Sequence, residues 1–407
     1  MTPVLFPFRR RRRAAVAAVV LACAAVAATA CQRAAPVTRV PAELVNNLVV
    51  VPGRINGSAP LAFVLDTGAS TSVIDRDTAT ALRLDLGTAG RATTGGGDVE
   101  SVTVPGANLT IAGLAFADLP LVAIDLAGLR AGLGHPVAGI LGYDVFAPYV
   151  VEIDYLAPAV RFHDPEAWPP PPGATAVRFA AMDDQIPLVD VELRGVNGAR
   201  ALARVELDTG QTGALTLTSR FVAEHRIVDD LQPRVSITAG AILAGRVPAY
   251  VARLDSLRLG ATDVAKPVVT VTPGAAQAGV TDSTAGLIGG EVFRRFHLFI
   301  DYARRQLWVQ PNADAATALE FDMSGLSLAA LPPDWRSYRV RAVVAASPAA
   351  DAGLKADDVV VDVDGRPAAD YSLTELRRLL RVPGDRVVTV ERDGAMLTVT
   401  VRGRRLI

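Results

Sequence analysis

The chain repeats a sequence pattern at an interval of about 145 residues, and this duplication constrains the fold more than any other feature. The stretches FVLDTGAS (63–70) and RVELDTGQTG (204–213) each lead an apolar run into Asp-Thr-Gly, which places Asp66 and Asp208 142 positions apart. Farther along, GILGYDVFAPYVVEIDY (139–155) and GLIGGEVFRRFHLFIDY (286–302) align without a gap at an offset of 147. A repeat of this length is too long for a solenoid unit and indicates a duplicated domain.

Each copy has the pattern of a β domain. Short runs rich in Val, Ile and Leu are separated by Gly, Pro, Asn and Asp, which is typical of strands joined by tight turns. We therefore expect a mainly β fold with an N-terminal lobe at 43–168 and a C-terminal lobe at 183–315. Between them, DPEAWPPPPG (164–173) holds four consecutive prolines. Such a run is stiff and extended, so we predict an interlobe linker at 169–182.

The last part of the chain has a different pattern. It alternates short apolar runs with the helical stretch SLTELRRLL, in which Ser372 and Glu375 have the spacing of a capping box. A final pair of apolar runs turns at Asp393-Gly394, a typical hairpin dipeptide. The sequence therefore predicts a small separate α/β module at 321–405.

The N-terminus has the pattern of an export signal. Five arginines, Arg9 to Arg13, precede an Ala/Val-rich core, so we predict a signal peptide at 1–30. The residues ATAC end at Cys31 and resemble a bacterial lipobox; the only other cysteine, Cys23, lies inside the signal. We expect a lipid on Cys31, a tether at 31–42 and a periplasmic, membrane-anchored lipoprotein, with a soluble exported protein as the alternative.

Composition argues against two classes of site. The formal net charge is −1, from 41 basic and 42 acidic residues, and this balance argues against nucleic-acid binding, for which a basic face is expected. The four histidines, His135, His163, His225 and His297, have no metal-ligand spacing. We expect them at the surface or in turns, and we expect neither a metal nor another cofactor.

The two Asp-Thr-Gly triplets carry the chemistry that the sequence suggests. By itself such a triplet is usually an Asx-type turn. Two aspartates at equivalent points of two similar lobes can instead meet across a pseudo-two-fold axis, where full charges ~3 Å apart repel by roughly 5 kcal/mol at an effective dielectric near 20. The pair then shares one proton: the ionised member can activate a water, and the protonated member can bond a substrate carbonyl.

The residues that follow the aspartates suit this arrangement. Gly68 and Gly210 lack a Cβ, which permits a sharp turn and a close approach between the two loops. The hydroxyls of Thr67 and Thr209 are placed to bond across the axis and hold the loops in register, because small misplacements of catalytic groups are costly.

These motifs resemble the pepsin/retropepsin superfamily of aspartic proteases, specifically bacterial exported members with two retropepsin-like lobes and a C-terminal PDZ domain. The resemblance covers roughly 44–312, with the PDZ part beyond it. It implies a bilobal pair of acid-protease β-barrels with catalytic Asp66 and Asp208. In this family an apolar-apolar-Gly element crosses behind each catalytic loop as a psi-loop, and the matching residues are Ile140, Leu141 and Gly142 in the first copy and Leu287, Ile288 and Gly289 in the second.

Some positions depart from the family pattern or match it only loosely. Ala69 follows the first Gly, as in retroviral enzymes, and Gln211 follows the second; it could donate to Asp208 or point outward. A flap hairpin is expected around 91–104, with Thr94, Gly95, Gly96 and Gly97 at its tip, and a counterpart at 235–247. The resemblance also implies that a PDZ loop over Gly325, Leu326, Ser327 and Leu328 holds peptide carboxylates. Asp154 and Asp301 recur too, but we interpret them as turn residues.

The sequence thus favours a monomeric aspartic endopeptidase that hydrolyses extended polypeptides and recruits them through peptide C-termini at the PDZ groove. The alternative is a catalytically degenerate peptide-binding adaptor of the cell envelope, which Gln211 leaves open. A third hypothesis, an exported β protein with two structural turns, explains neither the paired aspartates nor the PDZ pattern.

Overall fold

The computed structural model describes residues 38–94, 97–228, 233–239, 247–272 and 284–407. The predicted signal peptide, Cys31 and the first part of the tether lie outside these ranges, as do Gly95 and Gly96. The described chain is built mainly from strands in four sheets, so the prediction of a mainly β fold is confirmed. No helix within these ranges is both long and apolar enough to cross a membrane.

The N-terminal sheet is built from residues 43–141. Its strand order is β2-β3-β4-β9-β5-β8-β7-β6, and its central strands β4 and β9 run parallel, whereas β5 and β9 run antiparallel. Strand β4 is the apolar run that ends at Asp66. The strands are β2 (Glu43–Val45), β3 (Leu48–Ile55), β4 (Leu61–Leu65), β5 (Val73–Asp75), β6 (Ala89–Thr94), β7 (Gly97–Ile111), β8 (Leu114–Ile124) and β9 (Val137–Leu141).

The C-terminal sheet repeats this pairing scheme with residues 181–288. Its order is β17-β18-β21-β16-β22-β15-β14-β19-β20, with β13 paired to β14. Strand β15, which ends at Leu207 just before Asp208, is parallel to β22, and β16 is antiparallel to β22. The strands are β13 (Ala181–Asp183), β14 (Ile186–Arg194), β15 (Arg200–Leu207), β16 (Leu215–Thr218), β17 (Val235–Ala239), β18 (Val247–Arg253), β19 (Ser256–Leu259), β20 (Thr262–Ala265), β21 (Val268–Thr272) and β22 (Gly286–Ile288).

A central sheet joins the two halves. Its order is β1-β11-β10-β23-β24-β12, and the repeated Ile-Asp segments form its middle pair, with Val150 opposite Asp301 and Asp154 opposite His297. The strands are β1 (Thr38–Pro41), β10 (Val150–Asp154), β11 (Ala159–His163), β12 (Thr175–Arg178), β23 (Phe296–Asp301) and β24 (Gln306–Pro311).

Two segments that we expected to be connectors contribute strands to this sheet. Strand β1 lies in the predicted tether and pairs with β11, and β12 lies in the predicted linker and pairs with β24. These two segments therefore belong to the central sheet as well as connecting other parts of the chain. The proline run of the linker, Pro169 to Pro172, forms neither helix nor strand, as expected.

The C-terminal module is a separate sheet with its own apolar core. Its order is β25-β26-β27-β29-β30, with the short β28 on β27, so β25 is an edge strand. The core is formed by Tyr338, Val340, Leu373, Leu376 and Val390 among others. The strands are β25 (Leu326–Leu331), β26 (Ser337–Val343), β27 (Val359–Val363), β28 (Arg366–Pro367), β29 (Gly384–Arg392) and β30 (Ala395–Gly403).

Helices are few and short, as the sequence pattern indicated. The predicted capping box of the last helix is present: the Ser372 hydroxyl accepts from Glu375 N, and the Glu375 carboxylate accepts from Ser372 N. The helices are α1 (Arg76–Ala81), α2 (Ala127–Leu133), α3 (Tyr143–Phe146), α4 (Ser219–His225), α5 (Gly290–Phe293), α6 (Pro348–Asp351) and α7 (Leu373–Leu380), with a 3-10 turn at Ala368–Asp370.

Candidate active site

The two Asp-Thr-Gly loops meet face to face, as the duplication predicts. A Cβ built on Gly68 would lie 2.9 Å from Asp208 Cγ, and one built on Gly210 would lie 2.3 Å from Asp66 Cγ. Each carboxyl group therefore packs against the glycine of the opposite loop. A side chain at either glycine would collide with the carboxyl group of the other half, which is why this approach requires glycine.

The threonines lock the two loops together. Thr67 N donates to Thr209 Oγ1 at 3.0 Å, and Thr209 N donates to Thr67 Oγ1 at 3.1 Å. The hydroxyl groups reach farther across the axis: Thr67 Oγ1 donates to Leu207 O, and Thr209 Oγ1 donates to Leu65 O at 2.9 Å. Both threonines are fully buried, so these four bonds are the reciprocal grip that we predicted.

The psi-loops anchor the aspartates from behind. Asp66 N donates to Leu141 O at 2.9 Å, and Asp208 N donates to Ile288 O at 3.1 Å. A second backbone bond joins each psi-loop to its Asp-Thr-Gly loop: Tyr143 N donates to Ala69 O, and Gly290 N donates to Gln211 O. All six residues expected in these elements, Ile140, Leu141, Gly142, Leu287, Ile288 and Gly289, lie directly behind the two Asp-Thr-Gly loops.

The electrostatics of the pair favour one shared proton. Burial raises the pKa of Asp208 well above its usual range, and the charges of Asp66 and Glu206 add to this rise. Burial also raises the pKa of Asp66, but hydrogen bonds oppose the rise, including one that Gly68 N donates to Asp66 Oδ1 at 2.7 Å. The bond from Gly68 N stabilises negative charge on Asp66, and the two carboxyl groups titrate together as a pair.

Among the described residues, no hydrogen bond joins the Gln211 side chain to either aspartate. Its Oε1 accepts from Gly213 N at 3.2 Å, so the side chain closes its own loop. Thr212 O, the next residue, accepts from Asn47 Nδ2 at 2.9 Å, which ties this loop to the N-terminal half. The Gln211 side chain is thus directed to its own loop.

The expected flap is a hairpin in the N-terminal sheet. Strands β6 and β7 pair from Ala89 and Val102 to Thr94 and Gly97. Thr94 Oγ1 donates to Gly97 O at 2.7 Å, and the tip at Gly95 and Gly96 falls outside the described residues. In its counterpart, β17 pairs with β18, and the connection between them is outside those residues as well.

A third acid, which we did not predict, lies beside the pair. Glu206 is two residues before Asp208, near the end of β15 (Arg200–Leu207), and its charge acts on Asp208. The residue is only 7% exposed; burial and the charges of Asp183 and Asp66 raise its pKa to about 8. The sequence did contain a signal, because the equivalent position in the first copy holds apolar Val64.

The other polar positions singled out in the sequence lie away from the pair. Asp154 and Asp301 accept backbone N–H groups in turns, the first from Leu156 and Ala157 and the second from Arg304, which supports their structural interpretation. His163 and His297 are not ordinary surface residues, because both bond the buried Glu152 in the central sheet. Within the described ranges no cluster of His, Cys, Asp or Glu has the geometry to hold a metal ion.

The PDZ loop is found at the start of β25. Ser324 N and Gly325 N both donate to the Asp322 carboxylate, and Leu326 N donates to Ser324 Oγ at 3.0 Å. Ser327 lies in β25, where it pairs with Ala342. Leu328 follows in the same strand and pairs with Val340. The amides at the start of the loop are thus satisfied within the chain.

Two family models match parts of the chain. Residues 51–145 match the aspartyl protease family, a range that contains Asp66 and the first psi-loop, and residues 339–391 match the PDZ domain family. No curated protein matches the sequence. Asp208 lies outside the matched ranges, so its equivalence to Asp66 is carried by the repeat and by the reciprocal contacts. The chain therefore contains a retropepsin-like aspartyl protease domain at 51–145 and a PDZ domain at 339–391.

Proposed function

We propose that this protein is an aspartic endopeptidase that cleaves extended polypeptides with a water activated between Asp66 and Asp208. The observation that carries the proposal is the reciprocal packing of each carboxyl group on the glycine of the opposite loop. Two buried acids that adjoin in this way share a proton, which provides a base and a hydrogen-bond donor in one site.

The asymmetry of the two environments assigns the roles. Asp66, whose charge Gly68 N stabilises, removes a proton from the water as its oxygen attacks the substrate carbonyl carbon. Asp208, whose pKa is raised more strongly, holds the shared proton and donates a hydrogen bond to the carbonyl oxygen as negative charge develops there. The C–N bond of the resulting tetrahedral intermediate then breaks, and the leaving amine takes a proton from the aspartate pair. The carbonyl carbon becomes the new carboxyl terminus of the product.

The surroundings suit an extended substrate with apolar side chains. Ala92 and Val99 of the flap hairpin pack against the same apolar cluster as Ala69 of the first catalytic loop. A polypeptide held beneath the flap therefore meets apolar surface beside the aspartates. The chain is proposed to act as a monomer, because the described residues supply both aspartates from one polypeptide.

Single substitutions of the two aspartates test the proposal. Asp66→Asn and Asp208→Asn each remove the shared proton chemistry, so each is expected to reduce cleavage of an unfolded protein at least 10²-fold. Asp154→Asn is the matched control, because an asparagine can still accept the turn bonds there. Carboxymethylated casein at pH 4–8 serves as substrate, with circular dichroism to verify the fold. Cleavage at the wild-type rate by either active-site variant would refute the mechanism.

The degenerate adaptor remains as the competing outcome of the same assay. Wild-type protein that binds casein but leaves it uncut across this pH range would establish it. The geometry favours catalysis, because Gln211, the feature that left the adaptor open, bonds within its own loop.

We also propose that the protein is exported and anchored by a lipid on Cys31, on the sequence pattern described above. Cys31→Ser is expected to move the mature protein from the membrane fraction to the soluble periplasmic fraction. Intact mass measurement of the wild-type protein checks for the added lipid. An unmodified mass with soluble wild-type protein would favour simple signal cleavage instead.

A further inference from the structure

We propose that the PDZ domain is an intramolecular clamp, with its peptide groove filled by helix α2 of the protease domain and helix α7 bracing the turns behind the second catalytic loop. The closed groove is argued from contacts alone. Its effect on cleavage rests on the proposed function.

The groove of a PDZ domain lies between an edge strand and a helix, where a peptide adds as an extra strand. Here the edge strand is β25 and the helix is α7. Helix α2 also packs on β25, and it does so from the protease domain. A peptide entering this groove would meet α2 on the strand that it needs to pair with.

The end of α2 fits tightly into this space. A Cβ built on Gly134, which caps α2 in the left-handed conformation, would lie 2.7 Å from Leu373 Cβ on α7 and 3.4 Å from Ala330 Cβ on β25. Leu129 and Leu133 of α2 are buried in an apolar cluster of the protease domain, so the helix is fixed there and its end at Gly134 reaches the groove. The segment therefore contacts both walls of the groove.

Arg377 of α7 joins the occupant to the groove. Its Nη1 donates to Gly132 O at 2.7 Å, and its Nη2 donates to Leu328 O at 3.0 Å. Burial lowers the pKa of Arg377 to about 10, so the side chain stays charged at neutral pH. One guanidinium group thus links the edge strand to α2. It occupies the carbonyl of Leu328, to which a peptide added beside β25 would hydrogen-bond.

The carboxylate end of the groove is also occupied. The backbone amides of Ser324 and Gly325 donate to Asp322, a carboxylate from the same chain. An incoming peptide terminus would have to displace this group. Two amides of the predicted carboxylate loop, Gly325 N and Leu326 N, are therefore bonded within the chain.

The same face of α7 reaches the turns that support the catalytic loops. Thr374 and Arg381 lie on the face of Arg377, at the spacing of one side of a helix. Thr374 Oγ1 accepts from Asn46 N at 3.1 Å, and Arg381 Nη1 donates to the Glu291 carboxylate at 3.2 Å.

These two contacts lead directly to the second catalytic loop. Asn47, beside Asn46, donates to Thr212 O, and Glu291 N donates to Gly213 O at 3.1 Å. On the other side, α2 precedes β9, and Arg130 Nε of α2 donates to Val137 O at 2.9 Å at the start of that strand. Docking of α7 on the protease domain therefore favours the arrangement in which the two aspartates meet. A peptide that entered the groove would compete with this docking.

Opening the groove in the full-length protein tests this idea. Arg377→Ala removes the bonds to α2 and β25. Arg378→Ala is the matched control, because Arg378 is exposed on the same helix. Arg377→Lys, which keeps the charge but loses the two-pronged contact, is expected to be intermediate and covers the case in which Arg377→Ala fails to fold.

Three measurements are compared across these proteins. Hydrogen exchange is expected to rise in 127–133 and 326–331 of Arg377→Ala. A fluorescein-labelled decapeptide with a free apolar C-terminus is expected to bind this variant at least tenfold more tightly than wild type, by anisotropy. The Asp66-dependent cleavage of casein by Arg377→Ala is expected to be slower than that by the wild-type protein.

The outcomes separate the clamp from the protease. Exchange and peptide binding in Arg377→Ala equal to wild type would overturn the closed groove, whatever the protein cleaves. Cleavage that rises or stays constant while the groove opens would overturn the clamp. An opened groove in a protein without any Asp66-dependent cleavage would support the closed groove and refute the protease.

Discussion

The threonine grip allows a quantitative test of how strongly the two halves depend on each other. Thr67→Val keeps the side-chain shape but removes a hydroxyl that accepts from Thr209 N and donates to Leu207 O. Both partners would then be buried without a hydrogen bond. Each such group costs about 1–3 kcal/mol, so the variant is expected to lose about 2–6 kcal/mol of unfolding free energy. Typical domains have only about 5–15 kcal/mol in total.

Thr209→Val is expected to have a similar effect, because it leaves Thr67 N and Leu65 O without partners. The double variant should cost less than the sum of the two, since the four groups form one network. Thr67→Ser keeps the hydroxyl and should lose little. Thr80→Val is the exposed control, since the Thr80 hydroxyl donates to Arg76 O in the same helix.

Urea denaturation followed by tryptophan fluorescence measures these changes, because Trp168 and Trp308 pack together at the central sheet. Cleavage assays on the same variants show whether loss of the grip also misplaces the aspartates. Unfolding free energies within 0.5 kcal/mol of wild type for both valine variants would contradict the reasoning.

Two further predictions concern carboxylates outside the pair. Glu206 carries its negative charge only above its pKa of about 8, where that charge raises the pKa of Asp208. Glu206→Gln is therefore expected to lower activity above about pH 8 and to leave the profile below that pH unchanged; equal pH–rate profiles from pH 7 to 10 would argue against this coupling. Burial of Glu152 is outweighed by hydrogen bonds from two histidines and the charge of an arginine, which hold its pKa well below its ordinary 4.5. Its stabilising effect is complete above about pH 4.5 and is lost as the pH falls below that value. Glu152→Gln should therefore unfold at lower urea concentration at pH 7 and show a shallower loss of stability on acidification, measured by urea titration from pH 3 to 7.

The parts of the site that depend on local sequence were predictable. Each aspartate ends an apolar strand and each glycine follows two positions later, and the repeat supplied the pairing of the two loops. The reciprocal bonds of Thr67 and Thr209 followed from the same symmetry. The psi-loops needed more than spacing, because the resemblance to a known family identified them.

The parts that depend on distant pairing were not predictable. Strand β1 forms because Thr38 pairs with Phe162, and nothing near Thr38 indicates this partner. In the same way, His163 and His297 are 134 positions apart but converge on Glu152 across neighbouring strands. The closed PDZ groove likewise depends on α2, nearly 200 positions before the edge strand.

The pairing of β10 with β23 has a consequence for how such a molecule can be divided. The proline run between the two copies looks like a natural place to cut, yet the repeated Ile-Asp strands cross it and hydrogen-bond to each other. Either half expressed by itself would expose the edge of β10 or β23, the kind of strand edge that recruits other chains. A half on its own is therefore expected to associate with a second copy along this edge, as the two copies do here within one polypeptide.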